Sequence, residues 1–404
     1  MPTRIIKVKI YARSTKTKLL KQSLGNTRFV WNKLLELNIE KYKKEHKFIF
    51  EFDMNKYITQ LKKEYPFLNL TFAKALQQIS RKLDRSLKSF LKHRKKGAGF
   101  PKFKKKSRYE GILIIPQGIS IKGRKLRIPR VGWFSIKDKI TKKEEWNNIK
   151  NTVKQVWVKQ EPDGYYAYIV YNKNFDKKNK NDLIIGIDVG IKSTITLSNG
   201  KTLSLNKERI MQLFKKISIL QSKIDIKKNI NKKRKINNSK RINELIRRRD
   251  KIMKKIKNIR YDFYYKIVNY ILNNHEYVVI EDLNLAGLNS FVGENKKVSK
   301  KVHTYLRNIS LNEFFKILNW KAELYDRKII KVNPRDTSKT CSNCGYINHN
   351  LKLSDRIFKC PKCGLNVDRD LNASINILNR GLEQIAPSSG HGEYMREMVK
   401  SVLS

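Results

Sequence analysis

The chain has 404 residues, with 90 Lys and Arg against 35 Asp and Glu, a formal charge of +55 and a hydrophobic content of 40%. That apolar content excludes a disordered chain, and self-repulsion on this scale excludes an unpartnered globule, so a polyanion is expected as a partner. Four cysteines in two close pairs exclude a disulfide scaffold, and no apolar run reaches the ~20 residues of a membrane span.

At ~100–200 residues per domain, two to four domains are expected. A Lys-rich codon bias explains Lys over Arg but not the shortage of acids. The partner is therefore expected to be nucleic acid bound along a long track. The start, "MPTRIIKVKIYARST", has no signal-peptide core, and the reading is a cytoplasmic protein with no membrane attachment.

In chain order, "TRIIKVKIYA" alternates apolar and basic residues as a strand does. Helical patterning follows. In "LTFAKALQQISRKLDRSLKSFLKH", Phe72, Leu76, Ile79, Leu83, Leu87 and Phe90 make one apolar face. Lys74, Arg81, Lys82, Arg85 and Lys88 make a cationic one, either solvated or turned to a polyanion. "KKGAGFPKFKKKSR" breaks the helix and sets Phe100 and Phe103 among basic residues. Those types suit phosphate contact and base stacking, or else a linker with two buried aromatics. "VKQVWVKQEPDGYYAYIVY" reads as a hairpin turning at Pro162, Asp163 and Gly164, and "KNFDKKNKND" as a polar linker.

From Leu183 the pattern changes. "LIIGIDVG", "STITLSNG" and "KTLSLN" read as three strands, and residues 207–274 as a basic helical hairpin broken around "KINNSK". "YVVIEDL" and "KIIKVN" are further strands. Between them "SLNEFFKILNWKAELYDRK" is an amphipathic helix, with Ser310 and Glu313 spaced as a capping box. Strands preceding helices argue for an α/β core.

The cysteines are spaced Cys341-x2-Cys344-x15-Cys360-x2-Cys363, with Gly345 and Gly364 closing each knuckle. Four thiolates at this spacing suit tetrahedral structural zinc with no open position. His349 lies in the loop but is not needed. Three acidic positions stand out. Asp188 and Glu281 end apolar strands, where open α/β sheets place their sites, and Asp368 and Asp370 precede a helix. Each alone suits a turn or a cap equally well. Together, clustered carboxylates could hold two Mg²⁺ or Mn²⁺ ions for phosphodiester cleavage.

In order, "GIDVGIKSTITLSNG", "VVIEDLNL", "TSKTCSNCG" and "CPKCGLNVDRDLNASINIL" resemble the RuvC-type nuclease of the TnpB family, transposon-encoded relatives of the type V CRISPR effectors. "ALQQISRKLDRSLKSFLKH" and "GFPKFKKK" resemble that family's N-terminal half, and the resemblance spans roughly residues 1–380. It implies an α+β multidomain chain. A wedge-like β-barrel (1–15 and 97–180) would be interrupted by a helical recognition domain (16–96). An RNase H-like (RuvC) α/β domain (181–336 and 367–385) would hold an inserted zinc ribbon (337–366), followed by a C-terminal tail (386–404).

The resemblance also implies a guide RNA from the transposon end, a DNA target beside a short adjacent motif, and Mg²⁺-dependent endonuclease activity. It maps the catalytic triad onto Asp188, Glu281 and Asp370, the last within Asp370-Leu371-Asn372-Ala373. Asp282 would face away from Glu281's side of the strand. Asp368 lies about 200° around a helix from Asp370 and suits a cap. Ser374 departs from the usual Ala. Monomer and dimer are both open. Two alternatives are a guide-directed DNA-binding repressor, whose mark would be a lost triad acid, and an RNase H-like transposase.

Overall fold

The computed structural model describes residues 3–105, 111–137, 143–172, 183–190, 194–234, 239–283, 310–352 and 355–385. The expected linker at 173–182, the centre of the "KINNSK" break and the tail from 386 lie outside these residues. The chain divides into two units, at Asn174 and Phe175. Among the described residues no helix is long and apolar enough to cross a membrane.

In the first unit β1 (Thr3–Tyr11) leads into α1 (Ser14–Glu45), α2 (Glu51–Glu64) and α3 (Ala73–His93). Then come β2 (Leu113–Ile115), β3 (Ser120–Lys122), β4 (Lys125–Ile128), β5 (Gly132–Lys137), α4 (Lys143–Thr152), β6 (Val153–Glu161) and β7 (Gly164–Asn172). The strands form one antiparallel sheet in the order β2-β6-β7-β1-β5-β4-β3. So β1, first in the chain, pairs between β7 and β5 and frames the helices as an insertion. Its alternation is honoured: Val8 and Ile10 join Phe134, Ile136, Val156, Val158 and Ile169 in the core, with Trp146 and Ile149 of α4. The helices have a separate core, in which Leu76, Ile79, Leu83 and Leu87 of α3 meet Trp31, Leu34, Met54 and Ile58. Phe100 packs edge-on against Phe90 at 5.3 Å and so belongs to the packing, whereas Phe103 is exposed.

In the second unit β8 (Ile184–Asp188), β9 (Ile195–Leu197) and β10 (Thr202–Leu203) precede α5 (Lys207–Lys233) and α6 (Lys240–Asn274). They are followed by β11 (Tyr277–Glu281), α7 (Leu311–Tyr325), β12 (Lys328–Val332), β13 (Ile357–Lys359), β14 (Asn366–Asp368) and α8 (Arg369–Ile385). The sheet order is β10-β9-β8-β11-β12, and β8, β11 and β12 run parallel. Period-two alternation gives the sheet two apolar faces. Ile185, Ile187, Val278 and Ile280 pack on Tyr264, Val268 and Ile271 of α6 and Phe314 and Leu318 of α7. Val279 and Val332 pack on Ile377, Leu378 and Leu382 of α8.

The capping box at α7 does not form. Ser310 has φ 54°, a left-handed conformation, and its side chain makes no cap hydrogen bond. An N-cap oxygen reaches the first turn only from extended backbone. Glu313 instead pairs with Arg260 of α6 at 3.2 Å, so a tertiary contact displaces the local one.

Helix α8 lies close on β8. A Cβ added at Gly186 would sit 2.3 Å from the Ser374 carbonyl oxygen, a backbone atom that cannot swing away. Gly186→Ala is therefore expected to cost at least about 2 kcal/mol. Gly25→Ala in α1, where nothing lies within 4 Å, should be neutral or slightly stabilising. Denaturant midpoints of the two variants check this contrast.

Candidate functional site

Side chains two apart share a face of a strand. Gly186 and Asp188 therefore look to the α8 side of the sheet, as do Val279 and Glu281. The parallel register pairs Val279 with Gly186 and Ile280 with Ile187, so the next step sets Glu281 beside Asp188. Asp370, in the first turn of α8, lies near enough for its charge to act on Asp188, though the oxygens of the three acids do not all come within 4.8 Å of one another. Asp188 feels the charge of the other two acids. Burial raises the Asp188 carboxyl from 3.8 to about 8, and the negative charges of Glu281 and Asp370 push the same way. The Val189 N–H and the Arg369 guanidinium oppose them. Burial also raises Glu281, against the Thr337 hydroxyl and the charge of Arg380. The other two acids are elsewhere. Asp282 pairs with Lys331 at 2.9 Å on the surface. Asp368 caps α8, its carboxylate accepting from the N–H groups of Asp370 and Leu371 at 2.9 and 3.2 Å.

The strap from β12 to the first cysteine is held by residues that the sequence did not single out. Asn372 and Asn376 are one turn apart on α8 and buried. Asn376 donates to the carbonyls of Thr337 at 2.9 Å and Thr340 at 2.6 Å. Asn372 donates to Thr340 at 2.7 Å and accepts from the Ser342 N–H at 3.0 Å. Arg369 reaches Ser338, and Arg380 takes the carbonyls of Asn333 and Arg335. The available signal was two amides on the apolar face of a helix, where an unpaired polar group is costly.

The strap leads into two equivalent knuckles. Gly345 N–H donates to Cys341 C=O and Gly364 N–H to Cys360 C=O, each at 3.0 Å. The return bonds, Cys341 N–H to Tyr346 and Cys360 N–H to Leu365, are both 2.8 Å. Gly345 and Gly364 take φ of 74° and 76°, the left-handed turn that favours glycine. The Sγ pairs Cys341–Cys363 and Cys344–Cys360 lie 3.6 and 3.5 Å apart. Tetrahedral Zn–S bonds of about 2.3 Å require sulfurs about 3.8 Å apart, so the cluster fits zinc. Among the described residues it is the only set of three or more such side chains whose ligand atoms all lie within 4.8 Å of one another. Backbone N–H donation from Leu365 lowers the Cys363 thiol, whereas burial raises that of Cys341. His349 is exposed.

In the first unit a groove of about 630 Å³ is lined by Arg81, Lys82 and Arg85 of α3, Lys102 and Lys104 of the following loop, and Lys159 of β6. No acid lines it. Burial pushes the Lys82 ammonium below its ordinary value, and the like charges of Lys159 and Lys104 add to this. The loop is fixed by Asn32, which accepts from the Lys104 N–H at 2.8 Å and donates to its carbonyl at 3.2 Å. Trp157, also lining the groove, has a buried indole N–H without a hydrogen-bond partner among the described residues. Beyond Lys159 the sheet surface carries Lys7 over Tyr166 at 4.5 Å and Lys159 over Tyr168 at 5.1 Å.

Two outcomes are expected. An acid raised in the folded chain keeps a proton that the unfolded chain has lost, so stability from Asp188 is full below 3.8 and is lost as pH rises to about 8. Without added divalent cation, the chain should melt lower at pH 8 than at pH 5, and Asp188→Asn should flatten that difference; melting curves at the two pH values decide. Metal analysis should find one zinc per chain, and Cys360→Ser should lose it together with stability.

Three family models match the chain. They are described as "Cas12f1-like, TNB domain" over residues 312–377, "Probable transposase" over 155–291, and "Helix-turn-helix domain" over 1–47. The last stretch is here β1 and the single helix α1. The chain is 26% identical over 380 residues to the Escherichia coli protein named "Putative RNA-guided DNA endonuclease InsQ", covering 90% of this chain and 88% of the relative. It is 32% identical over 211 residues to a TnpB-like protein of Acanthamoeba polyphaga mimivirus, covering 51% of this chain and 38% of that one. The fold is that of the protein in a cryo-EM structure of a Cas12f1-sgRNA-target DNA complex, with a TM-score of 0.55 at 18% identity, covering 91% of this chain and 83% of that one. Matches over three separate stretches of sequence, and a relative aligned over nine-tenths of the chain, show that this chain resembles the TnpB family.

Proposed function

We propose that this chain is a transposon-encoded, RNA-guided DNA endonuclease that cleaves target DNA beside a short adjacent motif. The observation that carries the reading is the meeting of Asp188, Glu281 and Asp370 on one face of the second unit's sheet, with Asp188 raised to about 8 by burial and by the other two. Carboxylates brought near one another are a hard oxygen donor set that fits divalent cations. When bound, two Mg²⁺ or Mn²⁺ ions would supply an activated water and stabilise the leaving oxygen of the phosphodiester. The chain's own part is to hold the three carboxylates on two strand ends and one helix end, rigid elements that fix their spacing. The names of the relatives support the same activity.

Within this reading the first unit's sheet acts as the wedge and α1–α3 as the recognition domain. The second unit is the RuvC-like nuclease carrying the zinc ribbon. The first unit's groove offers six cations, two tryptophans and an unpartnered donor, a chemistry suited to phosphates and base edges. A guide RNA supplies sequence by base pairing, which leaves the protein to bind long backbones and explains +55. The protein works in the cytoplasm.

RNA sequenced from the purified chain should be a defined transcript of the DNA flanking its gene. With that RNA and Mg²⁺, the chain should cut a matched duplex. Asp188→Ala, Glu281→Ala and Asp370→Ala should each lose cutting by at least about a thousandfold while RNA binding stays within about twofold. Cutting retained in these variants would refute the site. Binding without cutting in the wild type would favour the repressor, and strand joining without bound RNA the transposase.

A further inference from the structure

Thr337 lies between the strap and Glu281. Its hydroxyl donates to Glu281 Oε1 at 2.6 Å, the short range of a bond to a charged acceptor. The Pro334 carbonyl lies farther off at 3.3 Å, so the hydroxyl's single proton is committed to the carboxylate. Thr337 is 5% exposed, and its place is determined from both sides. Its carbonyl accepts from Asn376 of α8, the helix that also carries Asp370. Four residues on, the strap becomes Cys341, buried in the ribbon, after Asn372 and Asn376 have both bonded to Thr340.

We infer that Thr337 is the positioning residue for Glu281: its hydroxyl holds the carboxylate toward Asp188, and the amide-clamped strap ties that position to the ribbon. The inference rests on the reading of the three acids as a divalent-cation site. A partner that orients a ligating carboxylate in this way typically changes metal affinity by about 10–100-fold when removed. Valine keeps the shape of threonine without the donor, and serine keeps the donor without the methyl group.

The test is Mn²⁺ binding to the full chain, read from the loss of the free-ion paramagnetic resonance signal, with zinc content and melting temperature measured alongside. Thr337→Val should weaken Mn²⁺ binding by about tenfold or more. Thr337→Ser should stay within about threefold of the wild type, with zinc content unchanged. Wild-type affinity in Thr337→Val overturns the inference. So does a loss of about tenfold or more in Thr337→Ser with zinc content unchanged, which would make the role one of packing and which is readable even if the valine variant folds poorly. Asp188→Ala separates the two readings. Expected is loss of Mn²⁺ binding, and wild-type binding there would overturn the cation site and the role of Thr337 together.

Discussion

A methyl group at Gly186 would sit 2.3 Å from the Ser374 carbonyl, and the second unit's site depends on that close approach. Because α8 can lie directly on β8, its first turn reaches the ends of β8 and β11, and Asp370 joins two strand-borne acids. The same approach buries Asn372 and Asn376. Buried amides must find partners, and the partners available are the carbonyls of the strap. Holding the strap in turn places Thr337 on Glu281 and aims the chain into the ribbon. One steric permission therefore organises a carboxylate cluster, a connecting strap and a cysteine cluster.

The electrostatics oppose the packing. Three acids are drawn together in a low-dielectric setting, and Asp188 answers by holding its proton to about pH 8. This conflict between levels is what a functional site shows when the rest of a chain is self-consistent. The groove of the first unit is its mirror image. There burial, with the like charges of Lys159 and Lys104, pushes the Lys82 ammonium down. The two units carry opposite crowding, of carboxylates around Asp188 in one and of cations around Lys82 in the other. The fully satisfied contacts around them, from the Asn32 clamp to the paired knuckles, keep both arrangements rigid.

Much of this was legible because it depends on near neighbours in sequence. Period-two alternation marked β1, β6 and β7, and the steps at Leu76, Ile79, Leu83 and Leu87 marked α3. The cysteine spacing announced a metal cluster. Acids ending apolar strands pointed to Asp188 and Glu281, and two-residue geometry separated Asp368 from Asp370 and Asp282 from Glu281. Local reading failed where a distant partner outbid a local one. Ser310 and Glu313 have the spacing of a capping box, yet Arg260 takes the glutamate. Of the two readings open for Phe100, stacking on a base or packing, the structure takes packing, against Phe90.

The sequence by itself determined the elements, the charge, the spacing of a cysteine cluster that fits zinc and the candidate acids, since each follows from composition, periodicity or short spacing. Only the tertiary structure decided which residues serve those acids. Thr337 is 56 residues from Glu281, and Asn376 is 39 from Thr337. Lys82 and Lys159 share a groove from separate elements. Contacts of that separation are set by how helices pack on sheets, and no pattern within a short window records them.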